Sequence, residues 1–493
     1  MSDEIRGPEE SKEESSIFEG RPVNRREFVK LAGVAGATVG LGAGLGGLLA
    51  ACGGTTTTST AATTATTAGS TTTSVAASTT TVSAGPEQGR EIKIGDVSPV
   101  TGALAVFGAT EDWSVKLGLK TLGDGIVLGD GKLHKISILV RDSQSDTNRS
   151  AQVAGDLITN DNVDMMIASG TPDNVNPAAD QCEALGCPFV SNFNIWQAFT
   201  IGRGGTPTTE YKWVFGFLFG PEQNVVCDNM VLSKMGTNKK VGFMYPNDAD
   251  GNTLVQIIPP GYEKLGYTNI ITPPYQNGTE DFTSEITTFK KEGIEIVCTS
   301  PIPPDLITFW HQCLQQGFHP KALLTGKAYV NMSVPISLGP GNVGTLGACA
   351  WHRYLPFKDE LTGMTGVEIA DDYETATGQQ WAQTIGCHAK LTWAINVLKR
   401  ATNLDDKQTI VDAIKTTKME LLTGPIDMTV PVDINGPHVT PNVYKQGWCD
   451  VQIVNGADAK PTPSKWPEDQ NIVGVDNYPS SVQPVDPIAQ TYA

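Results

Sequence analysis

From Glu91 to about Asn455, short runs rich in β-branched residues alternate with segments whose apolar residues recur at helical spacing, and this restricts the fold more than any other feature. The runs Ile92–Val97, Ile136–Val140, Val163–Ala168, Phe189–Val190, Val241–Tyr245, Ile294–Cys298 and Ala322–Thr325 read as strands. Between them the segments Glu111–Leu122, Asn148–Thr159, Asn224–Met235, Phe282–Glu292 and Pro304–Gln316 read as amphipathic helices. Repeated strand–helix alternation implies an α/β fold whose parallel sheets are covered on both faces. The chain has 493 residues, 39% hydrophobic and 18% charged, enough for one large two-lobed core or two domains. A further long helix is expected over about Gln379–Ala401, with Trp381, Ile385, Leu391, Ile395 and Leu398 on its core face. After Asp458 the pairs Tyr478-Pro479, Gln483-Pro484 and Asp486-Pro487 predict an extended strap without regular elements.

The amino-terminal part has a different texture. Met1–Gly20 is acidic and serine-rich, with little to bury. Arg25 and Arg26 follow, then Phe28 and Lys30, then an uncharged stretch, Leu31–Ala51, with seven glycines. That pattern resembles a twin-arginine export signal, because the glycines weaken both the hydrophobicity and the helix propensity needed for a permanent span. The stretch closes on Leu49-Ala50-Ala51-Cys52, which resembles a bacterial lipobox and predicts cleavage before Cys52 and lipidation of its thiol and new amino terminus. An uncleaved single transmembrane anchor is the alternative, and either form places the following domain outside the cytoplasm. Gly53–Gly85 is almost wholly Thr, Ala, Ser and Gly, a composition for a flexible tether. The GxGxxG pattern at Gly42–Gly47 lacks a preceding strand and a following acidic residue, so it is not a dinucleotide site.

Net charge is −18, and the residues before Cys52 contribute eight acids and six bases, leaving −16 for the remainder. Such a surface argues against nucleic acid as a partner. No HExxH, GxxxxGK[ST] or CxxC motif is present and the six histidines are scattered singly, so no metal, cofactor or catalytic site is expected and the chain reads as a non-enzyme. Asp371-Asp372 and Glu280-Asp281 read as solvated helix starts. Eight cysteines remain beyond Cys52, an even number that permits disulfides, with Cys182 and Cys187 near enough in sequence to pair with some distortion. The strand ends stand out. Ser98–Gly108, Ser169–Pro177 and Asn192–Trp196 place small, polar and aromatic residues where open parallel sheets bind ligands, and Thr171, Asp173 or Asn174 is positioned to cap a helix whose free amides face an anion.

Taken together, IKIGDVSPVTGALAVFG (92–108), VRDSQSD (140–146), SGTPDNVNPAADQCEALGCPFVS (169–191), VGFMYPNDADGN (241–252) and LLTGKAYVNMS (323–333) resemble the leucine/isoleucine/valine-binding type of periplasmic solute receptor over roughly Glu91–Asn455. The resemblance implies a type I periplasmic-binding fold: two Rossmann-like lobes with parallel sheets, joined by a three-crossing hinge, closing on a ligand. It also implies a small-molecule ligand, of branched-chain amino-acid, amide or small carboxylate type, passed to an ABC transporter permease. A ligand-sensing module signalling to a membrane partner is the alternative. The implied division is signal 1–51, tether 52–90, lobe 1 at 91–220, lobe 2 at 221–350, a return to lobe 1 at 351–435 and to lobe 2 at 436–458, then the strap 459–493. By position the resemblance puts Phe107, Thr171, Pro172, Phe193, Asn194 and Trp196 of the first lobe, and Asp250, Ile302 and Lys327 of the second, around the ligand, with Asp173 as a further carboxylate. Lys327 departs from the family, whose amino-acid receptors place an acid there to hold the ligand ammonium. The family's disulfide has no counterpart either, since Ser143, Ser145 and Thr171 stand in its neighbourhood.

Overall fold

Parallel strands buried on both faces read as continuous apolar runs, and the chain uses such runs to build two seven-stranded sheets, one per lobe. The computed structural model describes residues 85–331, 333–339, 341–454, 470–490 and 492. Arg25, Arg26 and Cys52, with the expected signal and nearly all of the tether, lie outside these residues. Across the first sheet the order is His438–Thr440, Val443–Lys445, Val214–Phe219, Phe189–Ile195, Met165–Ser169, Ile92–Ser98 and Ile136–Asp142. All neighbours are parallel except the first pair. The register sets Ile94 between Ile138 and Met165, all on the same level of the lobe 1 core.

The second sheet runs Gln470–Asp476, Trp448–Ile453, Leu346–Cys349, Ala322–Thr325, Ile296–Thr299, Lys240–Met244 and Thr268–Ile271. Its first three strands pair antiparallel and the others parallel. The chain passes between the sheets three times, at Gly220, after Cys349, and at Gln446-Gly447. This is the type I periplasmic-binding architecture. At the crossings Phe219 and Trp448 set their rings 4.2 Å apart. Gln446 ties the two lobes together, its amide donating to Leu218 O at 2.8 Å and its carbonyl accepting from Gln223 Nε2 at 3.0 Å.

The helix Glu111–Leu122 has the ends that its apolar periodicity predicts. The helix Pro172–Leu185 opens on proline, whose missing N–H costs nothing in a first turn, and stops at Gly186, whose φ of 71° a side chain would resist. Several expectations need correction. The long helix over Gln379–Ala401 is instead a 3₁₀ turn, Gln383–His388, followed by the helix Ala389–Arg400. Packing explains the break: at Gly386 a Cβ would come 2.7 Å from Trp351 Cβ, so the backbone follows the wall of the core. The tail is not wholly extended strap, because Gln470–Asp476, which contains no proline, adds an edge strand to lobe 2. The last crossing comes at Gln446-Gly447, later than 436, since His438–Thr440 and Val443–Lys445 stay with the lobe 1 sheet. Asp371 and Asp372 lie inside the helix Gly366–Thr377, where Asp371 pairs with Arg353 and Asp372 accepts the Trp113 indole N–H at 2.9 Å. Cys182 and Cys187 are buried free thiols.

Candidate ligand-binding site

Where the parallel strands of both sheets end, their loops enclose a cavity, at the place where open parallel sheets bind ligands. Lobe 1 contributes Phe107, Gly170, Thr171, Phe193 and Asn194, and lobe 2 contributes Asp250, Ser300 and Lys327 among others. Six of the residues expected from sequence therefore line the same cavity, from its two facing walls: Phe107, Thr171, Phe193, Asn194, Asp250 and Lys327. Four others stand outside the lining. Pro172 opens its helix, and Asp173 behind it accepts a hydrogen bond from the Ala249 amide. Trp196 turns into the lobe 1 core and donates its indole N–H to Glu222 at 3.0 Å. Ile302 is spent in hydrophobic packing at the start of the helix Pro303–Gln315.

Local backbone chemistry delivers the lobe 1 residues. The pairing of Phe189–Ile195 with Val214–Phe219 shifts register between Asn192 and Ile195, and Phe193 inside that bulge has φ 60°. A bulky side chain in the left-handed region is an outlier that surrounding structure must hold. The bulge re-aims Phe193 and Asn194 into the cavity, where the Phe193 ring meets Phe219 edge-on at 6.4 Å. Gly170, at φ 109°, lies under Phe107, in a turn that glycine adopts without steric cost and that brings its backbone close to that side chain. In lobe 2, Gly326 brings the chain so close to Ser300 that a Cβ would lie 2.3 Å from its hydroxyl. The Lys327 amide then donates to that hydroxyl at 3.3 Å.

The charge on the wall is mostly negative. Lys327 Nζ is ion-paired with Asp248 and reaches Asp250 at 3.4 Å, so its counter-ions come from the protein. Burial works to lower the Lys327 pKa, and Asp250 and Asp248 outweigh it, holding the ammonium charged. Asp248 caps the helix Ala249–Lys264 by accepting from Gly251 N at 2.8 Å, and Asn277 Nδ2 donates to it at 2.9 Å. With Lys327 these donors overcome burial and keep its carboxyl below the usual range. Asp250 is pushed up to about 7 by burial first, with Lys327 pulling the other way and Asp248 and Asp173 adding to the rise. Asp173 is also raised, mainly by burial and then by Asp248.

Farther into lobe 2 the same cavity is lined by residues not expected from sequence: Asp228, Tyr245, Cys298, Trp448 and Asp450. Asp228 comes from the helix Pro221–Leu232 and Asp450 from the strand Trp448–Ile453, and the two carboxyl groups share a hydrogen bond. The Tyr262 hydroxyl donates to Asp228 at 2.7 Å. A signal for Asp450 was available, since it is the one charge in the apolar strand WCDVQI, which a buried strand tolerates only for a purpose. Asp248 lies inside the stretch VGFMYPNDADGN, two residues before Asp250.

A family model described as "Periplasmic binding protein" matches residues 91–438. The chain belongs to that family of binding proteins. Among solved structures, a leucine-binding protein from Thermotoga maritima is similar, with 17% identity, a TM-score of 0.63, and coverage of 79% of this chain and 100% of the other. A branched-chain amino-acid transporter substrate-binding protein from Streptococcus pneumoniae, in complex with isoleucine, gives 17%, 0.61, 78% and 99%. A solute-binding protein of an ABC transporter from Rhodopseudomonas palustris, in complex with 3,4-dihydroxybenzoic acid, gives 18%, 0.60, 74% and 94%. At these identities the likeness is one of fold.

Proposed function

We propose that this chain is an extracytoplasmic solute receptor, lipid-anchored at Cys52, that closes its two lobes on a small organic molecule and delivers it to the permease of an ABC importer. The observation that supports this best is the cavity itself, walled by loops of both lobes at the carboxyl ends of their strands and spanned by three chain crossings. A ligand held by both walls favours the closed arrangement by its differential affinity for it. Family membership and solved relatives bound to isoleucine and 3,4-dihydroxybenzoic acid agree with a ligand of amino-acid, amide or small carboxylate type. The internal pairing of Lys327 with Asp248 and Asp250 leaves it no free charge for a ligand, which disfavours a simple carboxylate.

The test is a thermal-shift screen with amino acids, amides, small acids, amines and aromatic acids, together with native mass spectrometry of the purified protein. A cognate ligand at a hundredfold excess over Kd stabilises by about 2.7 kcal/mol, which a melting curve resolves. An unmoved melting point across the whole screen, with no small molecule carried through purification, would overturn the receptor reading.

A further inference from the structure

Two polar atoms on the lobe 2 stretch of the cavity are buried without partners: Asp450 Oδ2 and Trp448 Nε1. Both residues line the cavity and are almost fully enclosed, at 2% and 5% exposure. The indole N–H donates only, and the Asp450 oxygen accepts once its carboxyl is ionised. Leaving either unpaired is costly, so the pair calls for a molecule that offers a donor and an acceptor side by side. Leu254, Ile258, Leu324 and Leu346 line the same stretch and suit an aliphatic body.

Charge decides the kind of donor. Lys327 is the one cation among the lining residues, and Asp248 and Asp250 already hold it. Asp228 and Asp450 have no cation near them, and the partner given to Asp228 is a neutral phenol, Tyr262. A ligand carboxylate here would meet carboxyl groups, whereas a ligand cation would meet a buried carboxyl pair that, among the described residues, has no cation of its own. Resting on the receptor reading above, we propose that the ligand is an aliphatic amine with a neutral hydroxyl or carbonyl acceptor and no carboxylate, its ammonium seated between Asp228 and Asp450 and its acceptor facing Trp448 Nε1.

A proton accompanies this binding. Burial holds Asp228 up to about 6 and Asp450 well above the usual range, so near pH 6.5 the pair keeps a shared proton. The other titratable groups around it, Tyr245, Tyr262, Cys227, Cys298 and Cys449, are all shifted upward and stay neutral there. An ammonium seated on the pair therefore expels the shared proton.

The experiment uses isothermal calorimetry of the dialysed protein with leucinol, leucine and 4-methylpentanoate, three probes with the same isobutyl body. Leucinol should bind at least about tenfold tighter than either carboxylate, the size of one charge-assisted hydrogen bond. Its enthalpy should change between buffers of different ionisation heat in the sense of proton release. Asp450→Asn, checked for folding by circular dichroism, should lower leucinol affinity about tenfold or more. Equal or tighter binding of a carboxylate, binding without proton release, or leucinol affinity indifferent to Asp450→Asn in a folded variant would each overturn the proposal. If no probe binds while another small molecule copurifies, the amine assignment falls and the receptor reading stands. If nothing binds and nothing copurifies, both fall.

Discussion

Replacing Lys327 by Met keeps an unbranched side chain one atom shorter and removes its charge, leaving Asp248 and Asp250 without their cation in a buried wall. In the native chain Asp250, raised to about 7, holds its proton at pH values where the unfolded chain has lost it. Stability therefore falls as pH rises from about 4 to about 7, and a rise of that size on one buried carboxyl is worth about 4 kcal/mol. Asp248 has the opposite sign. Its lowered carboxyl adds stability above the usual carboxylate range and gives it up as pH falls through the folded value. Lys327, with its raised ammonium, contributes until the pH exceeds its ordinary value and passes through the folded one. Without Lys327, Asp248 loses the partner that offsets its burial and joins Asp250 in resisting ionisation. The expected cost at pH 8 is about 3–5 kcal/mol, as for other buried pairs deprived of one member. Near pH 5 both carboxyls can take up protons and the cost should shrink to less than about 2 kcal/mol. Urea unfolding of ligand-free protein, followed by tryptophan fluorescence at pH 5, 6.5 and 8, measures this directly. Equal stability of wild type and Lys327→Met at pH 8, or a loss that does not depend on pH, would refute the account of Lys327 as the internal counter-ion.

Asp228→Asn should flatten the fall in stability between about pH 4 and pH 8 by about 3 kcal/mol, because the amide still accepts from Tyr262 and never ionises; a profile as steep as wild type in urea unfolding would contradict this. Cys52→Ser should leave the chain unprocessed or free of the lipid phase in a detergent partition assay, and continued cleavage with membrane attachment would exclude lipidation. Lys at both Arg25 and Arg26 should stop export, as judged by fractionation, and normal export would point to another route.

The fold class and much of one wall of the site were legible in the order of residues along the chain. Apolar runs such as Met165–Ser169 can be satisfied only inside a sheet covered on both faces, so strand–helix alternation left few architectures. Phe107, Thr171, Phe193 and Asn194 were legible because they lie at or just beyond strand ends, where the resemblance places the ligand. The rest depends on contacts between segments far apart in sequence. Trp196 follows a strand end too, yet its indole turns to Glu222, a choice made by packing and invisible to spacing. Lys327 could be placed near the ligand, but its pairing with Asp248, 79 residues earlier, needed the loops of two strands brought together. Asp228 and Asp450, more than two hundred residues apart, meet only because the last crossing returns the chain to lobe 2 beside the helix Pro221–Leu232. Periodicity records which face of an element is buried; which charges share that burial, and hence their protonation, is settled by three-dimensional neighbours.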